Sequence, residues 1–204
     1  MNASSSAQDR IRDAAVRLFA ERGVTTVNIR ELAQAAGVAR GTIYNNVESP
    51  DEIFGDVAAR LANEMHERVV LSFDLIDDPA HRLSNGVRFF ARRAHEEPHW
   101  GRFILRFAFS NASLQGMWAG PPAQDLKTGL DNGRYNFAPA QLTAVISMVA
   151  GAGLSAMFLV TEGHKSWREA GSDAAKLLLC SLGLSKAEAH DIAHRPLPPL
   201  PELK

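Results

Sequence analysis

Ile11, Ala14, Ala15, Leu18 and Phe19 fall at i, i+3, i+4, i+7 and i+8, which puts them on one face of a helix with about 3.6 residues per turn. The same spacing returns along most of the chain, and no convincing period-two alternation of a half-buried strand interrupts it. An all-α fold follows. The first helix spans about 8–22 and ends at Gly23, which tolerates the positive φ of a C′ position. Asn28 caps the next helix, with Glu31 three residues on to return the bond as in a capping box. Ile29, Leu32, Ala33 and Ala36 give that helix its stripe, Gly37 breaks it, and residues 39–47 resume a short helical period with Ile43 and Val47 inward. Ser49-Pro50-Asp51-Glu52 has the composition of a helix start. Ile53, Phe54, Val57, Leu61, Met65 and Val69 carry the following stripe to about residue 73. Further helices are expected near 79–96, 99–110, 121–132, 139–163, 166–182 and 185–194. The run RPLPPLP at 195–201 cannot be helical, because proline lacks an amide donor and restricts its predecessor, so 196–204 is expected to be an extended, loosely ordered tail.

Charge constrains the choice of partner less simply. With 46% apolar and 22% charged residues the chain has the composition of a packed globular protein. Its one cysteine, Cys180, cannot form an internal disulfide and suits a reducing cytoplasm. The first residues carry no apolar stretch of the kind a signal peptide needs. Formal net charge is −1, which removes bulk basicity as an argument for nucleic-acid binding. Residues 1–60 hold seven Arg, no Lys and eight acids, again net −1. Any case for DNA rests on local arrangement.

That arrangement lies at 24–47, VTTVNIRELAQAAGVARGTIYNNV: a capped helix with a small-residue stripe, a glycine turn, then a short helix with exposed polar groups. This is the layout of a helix-turn-helix, in which the second helix pushes its side chains into a major groove about 12 Å wide. Spacing alone also fits a helical hairpin that only packs. The longer run over 10–54, with AAVRLFAERG, NIRELAQAAGV and ARGTIYNNVESPDEIF, resembles the DNA-binding region of the TetR family of transcriptional regulators. The resemblance implies a three-helix DNA-binding domain over 1–50, with its recognition helix at about 39–46, and a larger helical ligand-binding and dimerisation domain over 51–195. It implies that Arg40, Thr42, Tyr44 and Asn45 face DNA, with Tyr44 on a phosphate and Arg40 on guanine O6 and N7, while Asn28 and Arg30 meet the backbone. Three positions depart from the family pattern: Asn46 and Val47 stand for the usual His-Phe, and Pro50 for a phosphate-binding Lys. Glu48 adds a negative charge nearby. A modest salt dependence of DNA binding is therefore expected, because each neutralised phosphate contributes about −0.9 to the slope.

Other motifs carry less. His95-Glu96-Glu97-Pro98-His99 matches H-E-x-x-H, but Pro98 ends the helix that would present both histidines on one face. His190 and His194 lack a third ligand nearby, and Cys180 sits in the apolar run LLLC. No catalytic residue, metal or cofactor is implied. Residues 135–161 contain no charge, and 142–160 is long enough to cross a bilayer. Its small residues Ala144, Ala152, Gly153 and Ala156 suit a helix buried in a subunit interface, and the TetR resemblance implies a homodimer through 139–163 and 166–182, with no membrane. The aromatic-rich segment 85–118 suits an apolar effector cavity, for which Met65, Phe89, Trp100, Phe103, Phe107 and Trp118 are candidates. Arg102 and Arg106, one turn apart, are placed to meet an anionic ligand or to lie in solvent. The reading is a cytoplasmic, homodimeric, ligand-responsive repressor on a double-stranded DNA operator, without enzyme activity. Its alternative is a helical ligand-binding or adaptor protein with weakened DNA binding.

Overall fold

The computed structural model describes residues 6–47, 49, 52–73 and 76–202. Among them are eleven α-helices and no strand. Ser6 and Asp9 form a capping box at the start of α1 (Ala7–Arg22), and Gly23 ends it at φ 67°. Asn28 caps α2 (Ile29–Ala36) by accepting the Arg30 amide at 2.8 Å. The expected capping box is not made: Glu31 turns away to accept from Arg22 at the end of α1, Nη1 to Oε2 2.8 Å. A charge-assisted bond to a guanidinium outweighs one to a neutral amide. Gly37, at φ 63°, turns the chain into α3 (Arg40–Asn46), which begins one residue later than the sequence suggests. Phe19, Leu32 and Ile43, all fully buried, close the three helices on one another. Arg17 fastens the end of α2 by donating to the Ala35 carbonyl at 3.1 Å.

The expected helix-start residues Pro50 and Asp51 lie outside the described residues, as does Glu48; α4 runs Ile53–Leu71. Asp78 caps α5 (Pro79–Glu96) by accepting the Ala80 amide at 3.0 Å. The chain then breaks at Glu97, and Pro98 is the first residue of α6 (Pro98–Phe107). One helix was not foreseen, α7 (Ala112–Ala119), capped by Asn111 and buried along Leu114, Met117 and Trp118. There follow α8 (Pro121–Asp131), a 3-10 turn at Pro139–Gln141, α9 (Leu142–Thr161), α10 (Trp167–Ser181) and α11 (Lys186–His194).

Helices α5, α9 and α10 pack together, and they approach closely where the small residues Ala91, Ala156 and Ala170 meet, all fully buried. By length and composition the segment Pro139–Thr161 is able to cross a membrane, yet one of its faces is spent on α5 and α10. The other face exposes Met148 and Phe158, beside Leu177 of α10, which is 69% exposed.

A second core is aromatic. Phe19 of α1 meets Phe54 of α4 edge-on at 5.2 Å, Phe54 meets Phe107 of α6 at 4.9 Å, and Phe103 lies 5.2 Å from Phe107. These rings tie α1 to α4 and α6. The C-terminal run is extended, as its prolines require, but it is not loose. Leu197 and Leu200 pack against the same core, Arg88 donates to the Arg195 carbonyl at 2.7 Å, and Arg68 donates to the Pro201 carbonyl at 2.8 Å. Prolines remove donors from a chain but leave its carbonyls, and two arginines of α4 and α5 supply the missing partners.

Candidate nucleic-acid interface and ligand cavity

Helix α3 is held by one face. Ile43 is fully buried and Thr42 half-buried, while Arg40, Tyr44 and Asn45 are exposed, Tyr44 at 59%. A side chain as large as tyrosine left in water on a seven-residue helix contributes nothing to the core. Asn46 turns back and donates to the Thr42 carbonyl at 2.8 Å, closing the last turn of α3, and Val47 packs against the core. At the start of α2, Asn28 spends its oxygen on the Arg30 amide, and both side chains lie at the surface.

A mostly apolar cavity of about 40 Å³ lies elsewhere, among α4, α5, α7, α8 and α9. Met65 and Trp118 line it, as do Phe90 and Met117. Phe89, Trp100, Phe103 and Phe107, four of the six sequence candidates, do not line it. Phe103 and Phe107 belong to the aromatic joint with Phe19 and Phe54. Trp100 lies beneath the Arg93 guanidinium, 4.5 Å from its ring centroid, and Phe89 is fully buried in the core. The physical reason is the direction of α6: it packs on α1, so its rings fill the joint and not the cavity. Arg102 and Arg106 are both exposed, and Arg106 crowds Gly23 at the C-terminal end of α1, where a cation meets the negative end of the helix dipole.

Sequence reasoning missed the polar part of this cavity. Arg82 of α5 and Asp125 of α8, forty-three positions apart, meet at 2.6 Å, and the Asp125 side chain is only 7% exposed. Burial pushes the Asp125 carboxyl up from 3.8 to about 6, against the pull of Arg82. A carboxyl whose ionisation is disfavoured by burial, set in a cavity beside a single charge partner, is a candidate site residue. The sign of its effect on stability follows. The folded state holds the proton more tightly than the unfolded chain, so the contribution of Asp125 is full below pH 3.8 and is lost as pH rises through about 6. Asp125→Asn is therefore expected to gain stability over the parent between pH 4 and pH 7.5, by at most about 3 kcal/mol, since one unit is worth about 1.36 kcal/mol. Urea unfolding across that range measures it; a difference that stays flat with pH would contradict the assignment.

Of the metal-type motifs, His95 lies in the last turn of α5 and His99 in the first turn of α6, where its Nδ1 lies 3.9 Å from Glu21 of α1. The rings of His190 and His194 lie 4.0 Å apart and tilted by 35° on the exposed face of α11. Among the described residues no three His, Cys, Asp or Glu side chains gather as a metal site would require.

Residues 78–195 match the model of the tetracyclin repressor-like C-terminal domain, and residues 11–57 that of the bacterial regulatory proteins of the TetR family. The chain belongs to the TetR family. Its helix-turn-helix lies within the second match and its cavity lies largely within the first. An uncharacterised HTH-type transcriptional regulator of Mycobacterium tuberculosis is 29% identical over 92 residues, 45% of this chain and 46% of that one. The chain thus spans about half the length of the curated relatives it matches first. Among solved structures, RolR in complex with resorcinol superposes with a TM-score of 0.67 at 25% identity, covering 96% of each chain. FadR from Bacillus subtilis in complex with stearoyl-CoA gives 0.70 at 18% identity, covering 85% of this chain and 98% of that one, and shows the TetR-family fold alone.

Proposed function

We propose that this TetR-family chain is a repressor that binds a palindromic operator as a homodimer and releases it when a small molecule enters the cavity. One observation carries the reading: directly after the left-handed turn at Gly37, α3 buries Ile43 and holds Arg40, Tyr44 and Asn45 in solvent. Arg40 reads a guanine edge, Thr42 and Asn45 meet neighbouring base edges, and Tyr44 anchors a phosphate. Asn28 and Arg30 at the start of α2 hold the backbone. Residues 1–50 form the reading unit and 51–195 the effector and dimerisation unit, with the described tail, 196–202, an extended strap. The second copy sits on the apolar outer face of α9 and α10, around Met148, Phe158 and Leu177. That interface sets two copies of α3 about 34–36 Å apart, one turn of duplex. Such a regulator works in the cytoplasm, and its effector acts only through different affinities for the DNA-competent and released states.

The net −1 charge of residues 1–60 favours one other reading, a helical ligand-binding or adaptor protein with weakened DNA binding. Selection of bound sequences from random duplex DNA separates the two. The repressor returns a palindrome with half-sites one helical turn apart, and its affinity falls gently with salt for lack of cations. Recovery of no palindrome favours the adaptor. A slope demanding eight or more phosphate contacts per subunit would contradict the charge distribution on which these roles rest.

A further inference from the structure

The cavity is small and its wall is mostly apolar; its polar side chains are His66 and the buried carboxyl of Asp125, paired with Arg82 at 2.6 Å. The two charges cancel. A ligand bearing its own net charge would leave one charge in the cavity without a partner. Their hydrogen-bonding capacity is not exhausted. The Nε–H of Arg82 and the Nε1–H of Trp118, both residues of the cavity wall, are buried without acceptors, and a carboxylate accepts more than one bond. A hydroxyl does both with a single atom, accepting from an N–H and donating to a carboxylate, which suits two groups 2.6 Å apart. The remaining wall selects what carries it. Phe90 and Trp118 lie with ring centroids 4.7 Å apart, and Met65 and Met117 offer unbranched thioethers that shift to admit a ring. About 40 Å³ is below the roughly 150 Å³ of an apolar cavity that takes benzene, so the thioethers must move for one small ring to enter, and a long acyl chain needs a larger rearrangement still.

We infer that the cavity takes a small, neutral, hydroxylated aromatic compound, a phenol or dihydric phenol, whose hydroxyl donates to Asp125 and accepts from Arg82 while its ring rests on Phe90 and Trp118. This rests on the cavity being the effector site. It gives the Arg82–Asp125 pair a purpose beyond packing: the pair is the charged polar reader of a pocket whose other polar lining groups, among the described residues, are His66 and the indole N–H of Trp118.

Calorimetric titration of the full chain with phenol, resorcinol, 1,3-dimethoxybenzene, benzoate and decanoate tests it. Phenol and resorcinol are expected to bind, and methylating both hydroxyls is expected to weaken binding at least ten-fold on the unaltered protein. Asp125→Asn is expected to weaken resorcinol to a similar degree. Gly86, on α5, lines the cavity, and a Cβ there meets no atom within 4 Å; Gly86→Leu therefore fills the space without straining the helix and is expected to abolish binding. If the dimethyl ether binds as well as resorcinol, or if no phenol binds, the hydroxyl assignment is overturned. If benzoate or decanoate binds more tightly than the phenols and Gly86→Leu blocks it, the chemical class is overturned while the cavity stands. If phenols bind Gly86→Leu unchanged, the cavity itself is not the effector site.

Discussion

Alanine at Phe103 is expected to lower the unfolding free energy by about 3–5 kcal/mol, the range for deleting a fully buried aromatic ring. Phe103 is 0% exposed and lies 5.6 Å from Phe54, 5.2 Å from Phe107 and 6.4 Å from Phe19. Its removal opens a cavity at the point where α1, α4 and α6 meet, so the neighbouring rings lose contact on two sides and cannot all collapse into the gap. Phe109, only six residues on but 61% exposed, is the control: Phe109→Ala should stay within about 0.5 kcal/mol. Urea unfolding at one fixed protein concentration compares them, because oligomerisation makes apparent stability depend on concentration. A Phe103→Ala cost below about 1 kcal/mol would mean that the joint is not the core it resembles. The joint also bears on signalling. Helix α4 carries Phe54 in this cluster and Met65 and Val69 on the cavity wall, so one rigid element touches both the ligand space and the helices that support α3.

Operator affinity is expected to fall about 5- to 150-fold in Arg40→Ala, with specificity relaxed at one base pair, as for loss of about 1–3 kcal/mol from a bidentate guanine contact. Tyr44→Phe should cost less and cost it uniformly across sequences, because a phosphate contact positions the helix without reading it. Both side chains lie in solvent above a stripe anchored by Ile43, so neither change should alter thermal unfolding. Quantitative binding to the selected operator and to single-base variants of it makes the measurement. Equal losses on every sequence in Arg40→Ala would place that side chain on the backbone and leave the base reading to Thr42 and Asn45.

The helices were legible because their signals are local. Stripes such as Ile11 to Phe19, the cap Asn28, and the left-handed glycines Gly23 and Gly37 act within a few residues, and the structure follows the expected helices to within two or three positions. Where the reading failed, a distant residue intervened. Glu31 leaves the capping box for Arg22 on another helix. The tail is fastened by Arg68 and Arg88, both far upstream of it. Helix α7 had a local signal, Asn111 followed by Leu114, Met117 and Trp118 at helical spacing, hidden inside a segment read only for its aromatic content.

The function-bearing parts divide in the same way. Residues 10–54 determine the helix-turn-helix unaided, since a turn, a cap and an amphipathic stripe are properties of neighbours in the chain, and a polar residue on the outer face of α3 is outward in any packing of that helix. The cavity is different. Phe103 and Trp118 are equally apolar and equally buried by composition, and only the crossing of α6 onto α1 and of α7 onto α4 decides that one fills a joint and the other lines a pocket. Nothing near Arg82 in sequence points to Asp125. Burial raises a carboxyl, and pairing restrains it, only after helix packing has removed the water between them.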